Sequence, residues 1–153
     1  MSSSTFDVPR NLPLIRLLDE ALEAFSGELA KRIAEAGYTD VRPTHSCVFG
    51  NIDRDGSRLT DLAERAHMTK QSVGEVTSDL EKLGYVERVP DPSDGRAKII
   101  RLTERGRHAR SIGRQLIDEL EREWGQRFGV ERVAALREAL EVITAERLGA
   151  VAV

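Results

Sequence analysis

The stretch from Leu59 to Arg107, LTDLAERAHMTKQSVGEVTSDLEKLGYVERVPDPSDGRAKIIRLTERGR, decides the fold. Leu59, Leu62, Ala63 and Ala66 recur at i, i+3, i+4 and i+7, one apolar stripe on a helix of barely two turns. His67-Met68 breaks the run. Thr69 suits an N-cap, because its hydroxyl can accept from an otherwise orphan backbone N–H two or three residues on. In the helix it opens, Val73, Val76, Leu80 and Leu83 share an inward arc, with Gln71, Gly74, Glu75 and Ser78 on the opposite one. Gly84 closes it, as a residue tolerant of left-handed backbone. Val86 to Val89 and Ala97 to Leu102 are short β-prone runs around a cluster of turn formers, Asp91 to Gly95.

Helix, break, helix and then a hairpin with a charged tip is the order of a winged helix-turn-helix. In that architecture the second helix enters the DNA major groove and the hairpin reaches over the flanking backbone. The outward arc fits, since an ordinary solvated face carries more Lys and Glu than Gln, Gly and Ser. Five blocks in order and spacing, LAERA (Leu62–Ala66), TKQS (Thr69–Ser72), LEKLGYVER (Leu80–Arg88), DPSDGRA (Asp91–Ala97) and LTERGR (Leu102–Arg107), resemble the MarR family of transcriptional regulators. The resemblance is sharp over Leu59 to Arg107 and diffuse in the flanking segments. It implies terminal helices interlocked into a two-fold dimer. It also implies regulation, most often repression, by a small aromatic or acidic molecule held between the dimer helices and the DNA lobes.

Composition agrees with a globular protein: 40% hydrophobic and 32% charged residues, with no apolar run near the roughly 20 residues a bilayer span needs. The first residues lack the basic start and apolar core of a signal peptide, and one cysteine cannot form an intrachain disulfide, so a cytoplasmic location is expected. The formal net charge of -3 counts mildly against nucleic-acid binding. Its distribution counts for it: Arg88 to Arg110 holds seven Lys/Arg against three Asp/Glu, a basic wing on an acidic body.

Working outward, residues 1–10 read as a flexible arm. Within 11–37, Ile15, Leu18, Leu22, Phe25, Leu29 and Ile33 step by three or four and predict a dimerisation helix from Leu12 to Ala36. Residues 38–103 form the winged-helix lobe, in which Pro43 opens a helix to about Asn51 and a residue or two after Asp53–Ser57 pairs with the wing. Residues 104–153 carry two more dimerisation helices: Thr103 caps the first, with Ile112, Leu116, Leu120, Trp124 and Phe128 in its stripe. Gly129 then interrupts before Val133, Leu136, Leu140 and Ile143. Gly106 and Gly113 each cost the longer helix roughly 1 kcal/mol relative to Ala. The expected fold is mainly α with a small β-hairpin wing, one intertwined domain. A two-fold dimer also suits a pseudo-palindromic duplex, with recognition helices one helical turn apart.

Double-stranded DNA is therefore the expected partner. Gln71, in the first turn, can be bidentate to adenine. Thr69, Lys70 and Ser72 suit phosphates around the helix N-terminus, and Ser78 a base or phosphate. Gly74 either lets backbone approach the groove or packs closely on a neighbour. Glu75 is repelled by phosphate unless it accepts from a cytosine amino group or restrains a nearby cation. At the wing, Asp94 is placed to orient the guanidinium of Arg96 for a narrow minor groove. Lys98 and Arg88 are phosphate contacts or solvated strand charges, according to register. Arg16, Arg42, His45 and Trp124 are the candidate effector contacts. Cys47 beside His45 supports an oxidant-sensing alternative, though a buried helix cysteine is the plainer reading. A winged helix used only for protein contacts is the other alternative. No nucleophile motif, phosphate-binding loop or metal-ligand spacing occurs, so neither catalysis nor a cofactor is expected.

Overall fold

Thr69 caps the second helix of the helix-turn-helix: its Oγ1 accepts from the backbone N–H of Ser72 at 3.1 Å. The structure, a computed structural model, describes residues 11–151; the predicted arm over 1–10 lies outside them. The described elements are helix α1 (Leu14–Glu35), a 3-10 turn (Pro43–His45), α2 (Ser46–Phe49), α3 (Leu59–Ala66), α4 (Lys70–Lys82), strands β1 (Val86–Asp91) and β2 (Asp94–Leu102), α5 (Glu104–Phe128) and α6 (Val130–Val151).

Local chemistry accounts for each end of the helix-turn-helix. Helix α3 stops where His67 takes left-handed backbone at φ 52°, with Met68 N–H donating back to Ala63 O at 3.0 Å. Helix α4 stops at Gly84, φ +80°, where Gly84 N–H donates to Glu81 O and Tyr85 N–H to Leu80 O at 2.9 Å, the paired bonds of a Schellman close. The helix predicted from Pro43 to Asn51 is shorter than expected. Asn51 turns its side-chain amide onto Cys47 O at 2.8 Å, so the chain leaves the helix after Phe49.

The core lies in this lobe. Val48, Ile52, Leu62, Val73, Leu80, Tyr85, Val86 and Ile100 are all at most 2% exposed. Thr77 joins Val73 and Leu80 inside, which the apolar stripe did not reveal; its hydroxyl donates to Val73 O at 2.7 Å and so carries no unmet polar group inward. The wing is an antiparallel pair with Val86 opposite Leu102 and Arg88 opposite Ile100, a shift at Pro90/Asp91, and Ser57 bridging to Ile100 from outside; the bridging residue is the last of the predicted turn and not one after it.

Helix α5 leaves the wing through Thr103, whose Oγ1 accepts from Gly106 N–H at 3.1 Å. Gly106 is not a tolerated defect there. A Cβ on it would lie 2.0 Å from the carbonyl oxygen of Tyr85, so the helix root seats on the chain at the start of the wing only because that atom is missing. Helix α1 lies along α5, tied by Arg32 to Glu123 at 2.5 Å, yet none of its residues is buried. Ile15 is 72% exposed and Leu22 67%, and Val142 and Ile143 on α6 are similarly bare. Among the described residues, no helix is long and apolar enough to cross a membrane.

Candidate nucleic-acid interface and ligand cavity

The outward arc of α4 faces solvent as read. Gln71 and Glu75 are exposed and Gly74 and Ser78 half-buried. Around its capped N-terminus, Lys70 is exposed, and Thr69 and Ser72 bond to each other through both backbone and hydroxyls (Oγ to Oγ 2.8 Å). That pairing pins the first turn while leaving its end open to an acceptor such as phosphate. With Lys82 and Arg88, the residues Gln71, Gly74, Glu75 and Ser78 line a shallow open concavity.

The strand register settles which wing cations are spoken for. Arg88 sits on the hairpin face shared with Ile100, and its guanidinium is taken by α4: Nε to Glu81 at 3.1 Å and an Nη to Ser78 Oγ at 3.1 Å. It braces the wing root against the recognition helix. Arg96 and Lys98 lie on β2 toward the tip of the hairpin, and neither side chain has a hydrogen bond or ion pair among the described residues. Asp94 does not orient the Arg96 guanidinium as expected. Its Oδ1 accepts from the backbone N–H of Arg96 at 3.1 Å, because the tight turn brings that donor closer than a long flexible side chain. It shapes the loop and leaves the Arg96 head free.

Two clusters escaped the sequence reading. Asp91 at the wing root is 5% exposed and accepts from Ser93 N–H (2.9 Å), Ser93 Oγ (2.7 Å) and Arg58 Nε (2.7 Å). The Ser93 donors and then the Arg58 charge hold its carboxyl down at about 2. Asp91-x-Ser93 has the form of an Asx turn and was legible to that extent; Arg58, 33 residues away, was not.

The second cluster ties α4 to the segment before α2. His45, 1% exposed, accepts from Arg42 N–H through Nδ1 at 3.1 Å, which leaves Nε2 to donate to Asp79 at 2.8 Å. The Arg42 guanidinium pairs with the same carboxylate. His45 and then Arg42 hold the Asp79 carboxyl below its usual range. Through Asp79, α4 is tied to the segment before α2.

Arg42 also stands on the wall of a cavity of about 370 Å³ between α1, α2 and α5. Leu29, Ile33, Phe49 and Ile117 give it an apolar lining, and Arg110 and Arg114 supply further positive charge. Of the four expected effector contacts only Arg42 lines it. Arg16 pairs with Glu20 at 2.5 Å near the start of α1, His45 is turned inward to Asp79, and Trp124 packs edge-on against Phe25 (5.0 Å) and Phe128 (5.5 Å). Cys47 is half-buried, and that burial pushes its thiol up, away from the thiolate an oxidant sensor needs. Among the described residues no group of three or more His, Cys, Asp or Glu could hold a metal.

Comparison with known proteins follows the lobe. A sequence model of the MarR family matches residues 39–97. The chain is 28% identical over 94 residues to the exopolysaccharide II synthesis transcriptional activator ExpG of Rhizobium meliloti (strain 1021), covering 61% of this chain and 48% of that protein. It thus spans about half the length of that curated relative. Among solved structures, apo wild-type MarR from E. coli matches with a TM-score of 0.69 at 19% identity, over 87% of this chain and 98% of that one. BldR from Sulfolobus solfataricus matches with a TM-score of 0.69 at 21% identity, over 87% and 93%. At such identities these likenesses concern the fold: a mostly helical chain with a two-stranded wing.

Proposed function

This chain carries the winged helix of the MarR family, a family of DNA-binding transcriptional regulators and not of enzymes, and from that premise we propose that it is a ligand-responsive repressor acting as a homodimer on a pseudo-palindromic operator. The observation that carries the DNA reading is the pairing pattern of its cations. Arg58, Arg88 and Arg101 are engaged by carboxylates within the lobe, whereas Lys70 at the capped end of α4 and Arg96 and Lys98 on the wing are left for an outside anion. A helix end and a hairpin tip so furnished suit phosphates on either side of a groove.

The dimer rests on α1 and α6. Ile15 and Leu22 on α1 and Val142 and Ile143 on α6 are large apolar side chains left bare, the kind of surface that an interface covers. A second copy would cover them with residues 11–37 and 104–153 and set two recognition helices on one face of a duplex. The cavity beside Arg42 is the seat for the effector, a small apolar anion by its lining and charge. An anion drawing Arg42 away from Asp79 would alter how α4 is held and disfavour the spacing that matches two half-sites.

Three measurements test this reading. Sedimentation of the full chain with and without duplex should give a dimer, and a dimer per operator. Selection from fragmented genomic DNA should return pseudo-palindromes, with the duplex upstream of its own coding region as the first candidate, and a reporter carrying them should be silenced. A monomer in solution, or a selection that enriches nothing, would overturn it. Activation of the reporter, the activity named for the Rhizobium relative, would reverse only the direction of control.

A further inference from the structure

Gly74 has no structural reason to be glycine. It sits in the middle of a 13-residue helix, where glycine weakens a helix relative to alanine. Close packing does not demand it: a Cβ there would meet only Leu59 Cδ2 at 3.6 Å, an ordinary contact. Its backbone is helical, so no left-handed geometry requires it either. What the missing side chain leaves is a notch in the outward face of α4, between Gln71, Glu75 and Ser78.

One side of the notch is an acceptor. Glu75 offers a carboxylate, which can only accept. Gln71 turns its Nε2 toward Glu75 Oε1 at 3.4 Å, so it lies against that carboxylate without bringing a charge of its own. The nearby cations do not cancel this. Arg88 is committed to Glu81 and Ser78, and neither Lys70 nor Lys82, which lines the same concavity, pairs with Glu75 among the described residues. In the major groove, acceptors match the amino groups of cytosine N4 and adenine N6 and oppose the O6 and N7 of guanine and the O4 of thymine. A carboxylate pairs best with cytosine, whose groove edge is a lone donor.

We propose that Gly74 and Glu75 form a base-reading notch, in which Glu75 accepts from the N4 amino group of a cytosine that the absent Gly74 side chain lets approach. The assignment rests on the DNA-binding reading and makes Glu75 a determinant of which operators are bound.

The experiment is selection from a random duplex library with the full chain, wild type and Glu75→Gln, with Gly74→Ala measured on the wild-type consensus. Wild type should fix a C·G pair at one position in each half-site. Glu75→Gln, which can also donate, should lose that preference. Gly74→Ala should melt about 3 °C higher, as a helix-interior Gly-to-Ala change does, and still bind the consensus at least ~5-fold more weakly, the lower end of what one good base contact is worth. Greater stability with weaker binding separates a groove role from a folding role. Half-sites without a fixed C·G pair, an unchanged Glu75→Gln preference, or full affinity in Gly74→Ala would each overturn the notch while leaving DNA binding intact. No enrichment with wild type would remove the DNA-binding reading and the notch with it.

Discussion

Replacing Asp79 separates the two bonds its carboxylate makes. In Asp79→Asn the amide oxygen still accepts from His45 Nε2–H, and only the charge facing Arg42 is lost. That pair is exposed, with side chains 62% and 35% accessible, so the loss should stay within about 1 kcal/mol. In Asp79→Leu the imidazole N–H of a residue 1% exposed has no partner, which adds about 1–3 kcal/mol of unmet desolvation. The Leu variant should therefore unfold about 2–3 kcal/mol more easily than wild type, a fall in Tm of roughly 7 °C for a chain of this size. Urea unfolding followed by far-UV circular dichroism, at one fixed protomer concentration, reads both variants. Acid adds a check on sign. A carboxyl held below its usual value contributes stability above about pH 4 that disappears as pH falls through its folded value, so the Asn variant should lose less on acidification than wild type. If Asp79→Leu unfolds within 0.5 kcal/mol of Asp79→Asn, on the order of measurement error, His45 is not held by this carboxylate and the link from cavity wall to recognition helix fails.

Gly106→Ala should destabilise by about 3 kcal/mol or more in the same urea assay, since its Cβ would meet the Tyr85 oxygen that also accepts from Thr103 N–H. Gly113→Ala, with nothing within 4 Å, should instead stabilise by up to about 1 kcal/mol, and equal effects from the two would refute the seating of α5 on the Tyr85 carbonyl. The Asp91 carboxyl, held at about 2, supports the fold fully above about pH 4 and ceases to as pH falls toward 2; an acid titration of Asp91→Asn should show a flatter limb over that window. Leu22→Asp on the bare face of α1 should sediment as a monomer where wild type is a dimer, without loss of helical circular dichroism.

What could be read from the sequence was what neighbouring residues decide. Thr69 and Thr103 cap because a hydroxyl reaches an N–H three residues on, and Gly84 closes α4 because glycine takes left-handed backbone freely. Periodicity placed Val73 and Leu80 inward, but missed Thr77, whose polarity is hidden in a bond to its own helix. Long-range partners left no such trace. Asp79 meets His45 across 34 residues and Asp91 meets Arg58 across 33, and no spacing rule connects them. Arg88 could not be assigned without the register, which turned it onto α4. Gly106 read as a defect because its reason, the Tyr85 carbonyl, belongs to another element. The effector residues fared worst: a cavity wall gathers side chains from several segments, and of four candidates only Arg42 stands on it.

The central claim is that this lobe grips DNA through the cations its own carboxylates leave unpaired. Its most direct test is the affinity of wild type and Arg96→Ala for one selected duplex across a salt series. Arg96 is exposed and bound only through its backbone N–H to Asp94, so its removal should not disturb the fold. The account predicts a steep, linear fall of log K with log salt for wild type. For Arg96→Ala it predicts weaker binding with a slope shallower by about one counterion for each wing that engages the duplex. Equal affinity and equal slope for the two proteins would contradict it.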